Sequence, residues 1–136
     1  MCLIDEVLDW TATEITCRTA SHRLESNPLR TIDRLRSECG IEYAAQAIAI
    51  HAALRAAHST GRVSGVLAAI RGLNLHVDRL DDLDGDLKIS GVRIGGDGSA
   101  LLYDFSIACG LQVLLDGRAT IAIRQPAKAA IPGGAS

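Results

Sequence analysis

One run of twelve residues, apolar on nearly every side, constrains the fold of this chain more than any other feature. The run extends from Cys39 to Ile50, and Glu42 is its only charged residue. A helix with so little polar surface is buried, usually beneath a sheet. A carboxylate that is buried without a nearby cation is costly, and it either finds a partner or shifts its pKa upward. The sequence therefore predicts a buried Glu42 with the properties of a general acid.

The helix that contains this run has readable ends. Ser37 is a suitable N-cap and Ser59-Thr60-Gly61 ends the pattern, so the helix is predicted from Ser37 to about Ala57. The preceding residues 22–36 lack periodicity and include Asn27-Pro28, which predicts a long loop.

Strand patterns flank the helix on both sides. Residues 2–9 and 13–21 are two short strand candidates, and from Val63 onward apolar and polar residues alternate with the two-residue period of strands. Four strands joined by tight turns are predicted in this second half. The predicted irregularities are an acidic turn at Asp81–Asp86, a bulge near Gly91, turns at Gly95–Gly98 and Cys109-Gly110, and a bulge at Asp116-Gly117 in the last strand, residues 111–124.

The order of elements defines the fold class. Two strands, one long helix and an antiparallel meander imply an α+β fold, in which a curved antiparallel sheet wraps around one long central helix. The 136 residues suffice for one domain with a substantial core, which we expect to cover residues 1–125. Residues 126–136 contain two prolines and two glycines and are expected to form a flexible tail.

Composition and charge exclude several classes of function. A formal net charge of −2 and an aromatic content of 3 % provide no surface for nucleic acid or for an anionic membrane. The longest apolar run is too short and too interrupted to span a bilayer, and acidic residues near the start argue against a signal peptide. The four cysteines form no CxxC pair and no zinc-spaced cluster, so we expect a reduced, cytoplasmic protein without a metal site.

Local strings and the order of elements resemble a known family. Residues 1–8, Met-Cys-Leu-Ile-Asp-Glu-Val-Leu, resemble the opening strand of hotdog-fold 3-hydroxyacyl-acyl-carrier-protein dehydratases. Residues 40–46, Gly-Ile-Glu-Tyr-Ala-Ala-Gln, resemble their central helix, in which glutamine follows a carboxylate after four residues. The strings SHR, NPLR and GIEYAAQA are most similar to the small dehydratase-like subunits of aryl-polyene type pigment synthesis. The resemblance covers about residues 1–125 and implies the hotdog fold. The family usually has a Pro-His segment ahead of this strand, so Met1 is expected to match an internal position of longer relatives.

The resemblance also implies a set of site residues. The family's carboxylate falls on Glu42 and its glutamine on Gln46. The family's catalytic histidine lies in the loop before the helix. In this chain, His22 is the only histidine before the helix. The spacing departs from the family, because His22 lies 20 residues before Glu42 and an ungapped match places Pro28 at the histidine position. The family's His-Phe-Pro-Gly string is absent, and Ser37 replaces its glycine near the helix start.

The implied activity is the removal of water from a 3-hydroxyacyl thioester held on an acyl-carrier protein. His22 would take the proton next to the carbonyl group, and a protonated Glu42 would protonate the departing hydroxide. Backbone N–H groups between Ser37 and Gly40 would bind the enolate oxygen, so these two residues join Gln46 as substrate-binding candidates. No metal or redox cofactor is required. The acyl chain would lie in an apolar channel along the helix.

The resemblance implies an assembly as well. Domains of this family dimerise by extending the sheet across two subunits, and each site takes its histidine from one subunit and its carboxylate from the other. The predicted partners are therefore an acyl-carrier protein and either a second copy of this chain or a second dehydratase-like subunit. Two alternatives remain open, namely acyl thioester hydrolysis on the same fold and a non-catalytic partner subunit, which the missing histidine string favours.

The remaining polar groups receive ordinary structural interpretations. His51, Arg55 and His58 share one helical face and are interpreted as a solvated stripe, and His76 is expected to be exposed on a strand. Arg30, Arg34 and Arg36 form a basic loop, for which docking of an acidic carrier protein is a minority alternative. The acidic residues between 81 and 86 lack the pattern of an EF-hand and are interpreted as a turn.

Overall fold

The computed structural model describes residues 2–32, 34–57, 64–97 and 99–124. Within these residues, one α-helix and six strands make up the regular structure. The helix is α1 (Gly40–Ala57), and the strands are β1 (Glu6–Trp10), β2 (Glu14–Thr19), β3 (Ser64–Leu75), β4 (Leu87–Gly96), β5 (Ala100–Cys109) and β6 (Gln112–Arg124). Two short 3₁₀ turns, Ser21–Arg23 and Ser37–Cys39, lie before the helix. The predicted tail, residues 126–136, lies outside the described residues.

The six strands form one antiparallel sheet in the order β1-β2-β4-β5-β6-β3. The predicted fold class, a curved antiparallel sheet around one long helix, is confirmed, and β4, β5 and β6 form the predicted meander. The prediction that four strands follow each other through tight turns is wrong for β3, which pairs with β6 at the far edge of the sheet. Backbone hydrogen bonds join the long connection between β3 and β4 to the loop before the helix. Ser37 N–H donates to Asp78 O, and Leu80 N–H donates to Leu35 O.

Helix α1 packs closely on the sheet at its first residue. A Cβ atom on Gly40 would lie 2.7 Å from the Leu115 side chain and 3.1 Å from the Ile107 side chain, so glycine allows the helix to approach β6 and β5. The predicted helix from Ser37 to Ala57 is confirmed, with its first turn in 3₁₀ form. The predicted N-cap role of Ser37 is wrong, because its buried hydroxyl donates to the Val77 carbonyl and makes no capping bond.

One face of α1 remains uncovered within the chain. Ala49 and Ala53 are exposed on the helix, although the burial pattern predicted from the sequence placed this face under the sheet. An apolar cavity of ≈ 380 Å³ lies on this face and is lined by helix residues and by Val66 of the edge strand β3. The helix therefore presents an apolar face that the described residues of this chain do not cover.

The strand irregularities differ from the predicted ones. Gly91 pairs in regular register with both Ile15 and Phe105, and the register of β4 shifts instead between Arg93 and Gly95. Asp116 and Gly117 continue β6 without a turn, as predicted. The pairing of β6 with β3 shifts its register beside them, and the extra residues lie in β3 between Arg71 and Asn74.

The chain before β1 is also irregular where a strand was predicted. Leu3 and Ile4 are buried, but the first strand begins only at Glu6. The backbone of Leu3 is bonded to side chains, because its N–H donates to Gln46 and its carbonyl accepts from Ser21. A strand pattern here therefore reflects burial and not pairing in the sheet.

The four cysteines are free thiols, and burial raises the pKa of Cys17 to about 11. None of the helices formed by the described residues combines the length and the hydrophobicity that a bilayer span requires.

Candidate active site

His22 lies at the end of β2, in the 3₁₀ turn Ser21–Arg23, and its side chain is completely buried. Its Nε2 atom lies 3.2 Å from the carbonyl oxygen of Leu83, whereas its Nδ1 atom is buried without a hydrogen-bond partner in the described part of the chain. A carbonyl oxygen can only accept, so Nε2 carries the proton and Nδ1 carries a lone pair. This is the tautomer in which Nδ1 can act as a base.

The electrostatic surroundings keep this imidazole neutral. Burial lowers the pKa of His22 below its usual value of 6.5, and the positive charge of Arg23 acts in the same direction. Hydrogen bonds to the backbone of Leu83 and Gly85 and the charge of Asp86 raise the pKa and oppose this shift only in part. An unprotonated imidazole at neutral pH is the form that a general base requires.

Two aspartates of the predicted acidic turn anchor the loop that carries His22. Asp86 accepts bonds from Arg18 at 2.9 Å and from Arg23 at 3.1 Å. The Asp81 side chain is 5 % exposed, and its carboxylate accepts the N–H of Leu35 at 2.9 Å. The guanidinium of Arg79 holds the pKa of Asp81 well below its usual range. Asp81 and Asp86 of the predicted acidic turn therefore anchor neighbouring loops.

Glu42 lies in the first turn of α1 and is exposed, so the prediction that the chain buries it is wrong. Its carboxylate makes no hydrogen bond or ion pair within the described residues. It shares the uncovered side of the helix with Ala49 and Ala53, which lie seven and eleven residues further along.

The structure does not bring His22 and Glu42 to a common cavity within one chain. Four prominent cavities occur in the described part of the chain, and neither residue lines any of the four.

The predicted substrate-binding residues lie around the first half of α1. Gln46 accepts the N–H of Leu3 at 2.7 Å and so fixes the segment before β1. Among the N–H groups predicted to bind the enolate oxygen, that of Ser37 donates to Asp78 and that of Gly40 to Ser37. These two amides are therefore already occupied, and the predicted oxyanion site at the helix start is not formed by them.

A hydrogen-bonded cluster beside His22 was missed by the sequence analysis. The Tyr43 hydroxyl lies 2.9 Å from Ser21 Oγ, and Asn27 Nδ2 donates to the same hydroxyl at 2.9 Å. All three side chains are buried. The available signal was Asn27 directly before Pro28, with a tyrosine directly after Glu42.

The interpretation of His51 as part of a solvated stripe is also wrong. Its side chain is completely buried, with Nδ1 2.5 Å from the Tyr103 hydroxyl and Nε2 2.8 Å from the Thr11 carbonyl oxygen. His58 lies outside the described residues. His76 is exposed as predicted, and it pairs with Asp116 at 3.0 Å.

No group of three or more His, Cys, Asp or Glu side chains that could hold a metal ion occurs in residues 2–32, 34–57, 64–97 and 99–124.

Comparisons with solved structures agree with the fold. The dehydratase heterocomplex ApeI:P from Xenorhabdus doucetiae matches with a TM-score of 0.80 and 18 % identity, over 94 % of this chain and 86 % of that chain. A mutant of a thioesterase enzyme from Staphylococcus aureus matches with a TM-score of 0.65 and 16 % identity, over 89 % and 93 % of the two chains. A hypothetical thioesterase with coenzyme A from Streptococcus pneumoniae gives 0.65 and 14 %, over 88 % and 85 %. At these identities the matches show the hotdog fold alone.

Sequence comparison defines the family. A search of curated protein sequences finds no match. The family model of ApeP-like proteins, described as ApeP dehydratase, matches residues 1–131, which is nearly the whole chain. This chain therefore belongs to the ApeP-like dehydratase family.

Proposed function

We propose that this protein removes water from a 3-hydroxyacyl thioester on an acyl-carrier protein, as one subunit of a dimeric dehydratase. The observation that carries the proposal is His22, a neutral buried imidazole whose Nδ1 lone pair has no partner in the described chain. Membership of a dehydratase family supports the reaction class. A buried polar atom without a partner calls for an explanation, and a proton acceptor in a reaction is one.

The reaction assigns one proton transfer to each residue. His22 Nδ1 takes the proton from the carbon next to the thioester carbonyl, which leaves an enolate. The carboxylic acid of Glu42 gives its proton to the hydroxyl at carbon 3, and the C–O bond breaks as water leaves. The electron pair of the enolate forms the new double bond. The Glu42 carboxylate then regains a proton as His22 loses one, so the site returns to its starting state.

The exposed position of Glu42 supports a site completed by a second subunit. Its carboxylate lies on the uncovered side of α1, next to an apolar groove and the unpaired edge of β3. A second subunit seated there would desolvate the carboxylate, and desolvation favours the protonated form that an acid needs. The proposed second subunit is another copy of this chain or a dehydratase-like partner, and the heterocomplex ApeI:P is a precedent among similar folds.

The acyl-carrier protein is proposed as the carrier of the substrate. Arg34 and Arg36 are exposed and form no ion pair within the described residues, and they line a cleft beside Ser37. Arg30 is different, because it is largely buried and lies 3.8 Å from Asp81. Only two of the three predicted loop arginines are therefore available to an acidic carrier surface.

A supporting subunit is the second candidate function. His22 is 0 % exposed, and a base that no cavity reaches cannot contact a substrate in the chain alone. Pro28, where the ungapped family match places the histidine, has no side-chain group that can accept a proton. On this interpretation the chain holds a catalytic partner in place, and its own Glu42 and His22 are dispensable.

The deciding experiment is mass spectrometry of a 3-hydroxyacyl-carrier protein incubated with the protein, alone and with candidate partner chains. We expect a product lighter by one water, and Glu42→Gln or His22→Ala should each reduce its rate of formation by about 10²–10⁴-fold. Glu14→Gln, which alters an exposed carboxylate at the start of β2 and outside the cleft that Arg34 and Arg36 line, is the matched control.

Three other outcomes are informative. Full activity of either site variant would remove that residue from the mechanism. Dehydration that requires a partner and survives both substitutions supports the supporting subunit. Release of free carrier thiol without loss of water supports the thioesterase alternative.

A further inference from the structure

We propose that the Tyr43 hydroxyl is a positioning group that holds the turn carrying His22 against the helix carrying Glu42. The inference rests on the proposed function, in which these two residues act as base and acid. It assigns a role to a residue that touches neither the substrate nor the reacting atoms.

The hydrogen bonds around Tyr43 have one consistent set of directions. Ser21 Oγ donates its single hydrogen to the Leu3 carbonyl at 2.7 Å, so it accepts from the Tyr43 hydroxyl at 2.9 Å. Asn27 Nδ2 donates to the Tyr43 oxygen at 2.9 Å and to the Ser21 carbonyl at 2.9 Å. The hydroxyl is thus both a donor and an acceptor, and phenylalanine could replace neither bond.

The cluster connects the two predicted catalytic elements directly. Ser21 precedes His22 in the 3₁₀ turn, and Tyr43 follows Glu42 in the first turn of α1. Asn27 closes the loop between them, because its side-chain oxygen also accepts the N–H of Leu29 at 2.9 Å. A displacement of about 1 Å of a catalytic group can cost on the order of 100-fold in rate, so a fixed turn has a kinetic value beyond stability.

Tyr103 provides a matched control within the same molecule. Like Tyr43 it is completely buried, and its hydroxyl lies 2.5 Å from His51 Nδ1. His51 lies nine residues beyond Glu42, about 13 Å further along α1. Tyr43→Phe and Tyr103→Phe therefore remove the same atom from equally buried clusters, but only the first cluster touches the turn of His22.

The test compares the two variants in the full chain, with the partner subunit present if dehydration requires it. The first measurement is ¹⁵N NMR of the histidine side chains across a pH titration, which reports the tautomer and protonation of His22. The second is kcat and KM for dehydration. Tyr43→Phe should change the His22 signals and reduce kcat by about 10–100-fold with little change in KM. Tyr103→Phe should leave both unchanged.

A second variant guards against a folding defect in the first. Asn27→Ala removes the donor from the other side of the cluster and should produce the same His22 signature. The proposal is overturned if Tyr43→Phe and Asn27→Ala both leave the His22 signals and kcat within twofold of Tyr103→Phe. If the wild type shows no dehydration, the proposed function fails, and the NMR comparison alone still decides whether Tyr43 positions His22.

Discussion

At the scale of single residues, the two buried histidines His22 and His51 differ in how many of their ring nitrogens are hydrogen bonded. His51 has both ring nitrogens hydrogen bonded, to Tyr103 and to Thr11, so its burial is fully compensated. His22 has one nitrogen bonded and the other buried without a partner among the described residues. The uncompensated atom costs stability, on the order of 1–3 kcal/mol, which a purely structural histidine would avoid. This difference, and not burial itself, identifies His22 as the candidate base.

The depressed pKa of His22 predicts a dependence of stability on pH. Its folded pKa lies below its usual value of 6.5, so the unfolded chain binds the proton more readily. The stability therefore decreases as the pH falls from 6.5 toward the folded pKa, by at most about 1.4 kcal/mol per pH unit. Urea unfolding at pH 7.5, 6.5 and 5.5 should show that His22→Gln loses less stability than the wild type over this range. Parallel curves for the wild type and His22→Gln would contradict the prediction.

At the scale of elements, sequence reasoning succeeded where one periodicity dominated. Helix α1 and strand β2 were predictable, since Ile15 and Cys17 alternate cleanly into the core. The predicted bulge at Gly91 failed because Val92 and Ile94 look like core residues in the sequence but are 38 % and 42 % exposed. The pairing of β3 with β6 joins residues that lie far apart in the sequence, so no local pattern predicts it.

The site was predictable in part for the same reason. The resemblance predicted His22 and Glu42 as site residues, but it did not predict which groups of the chain would form hydrogen bonds with either side chain. Asp81 accepts a hydrogen bond from Leu35, which lies 46 residues earlier in the sequence. No local sequence pattern indicates a contact over that distance. The exposure of Glu42 was unpredictable because an apolar helix face looks the same whether its own sheet or another subunit covers it.

The loop between β2 and α1 is the element proposed to contact the carrier. Arg34→Glu and Arg36→Glu should each raise KM for the carrier-bound substrate several-fold, because rim charges steer an acidic partner. Turnover of the corresponding pantetheine thioester, which has no protein carrier, should be unaffected. Lys88→Glu makes the same change of charge at an exposed position of β4 and is the control. An equal KM increase for both substrates would place the arginines in folding or catalysis and not in docking.

At the scale of the whole molecule, two edges of the sheet are unpaired, and they differ in their surroundings. β1 is five residues long, whereas β3 is twelve residues long and borders the apolar groove on α1. Val66 on β3 is 47 % exposed and lines this groove, together with the exposed Ala49 and Ala53. An exposed strand edge beside an apolar helix face is a surface that pairing with a second subunit would cover.

This surface predicts the assembly and its dependence on one residue. Ala49→Arg should convert the dimer, whether formed with a second copy or with a dehydratase-like partner, to separate chains at micromolar concentration in light scattering. The chain itself should still fold, because arginine on an exposed helix position is well tolerated. Leu8→Arg is the matched control, since Leu8 is 50 % exposed on the opposite edge strand β1 and should leave the dimer intact. Loss of dehydration should accompany dissociation in Ala49→Arg, because Glu42 then remains solvated and apart from the base of the other subunit. A dimer that persists in Ala49→Arg but separates in Leu8→Arg would move the interface to β1 and would leave the exposed Glu42 without the second subunit that its proposed role requires.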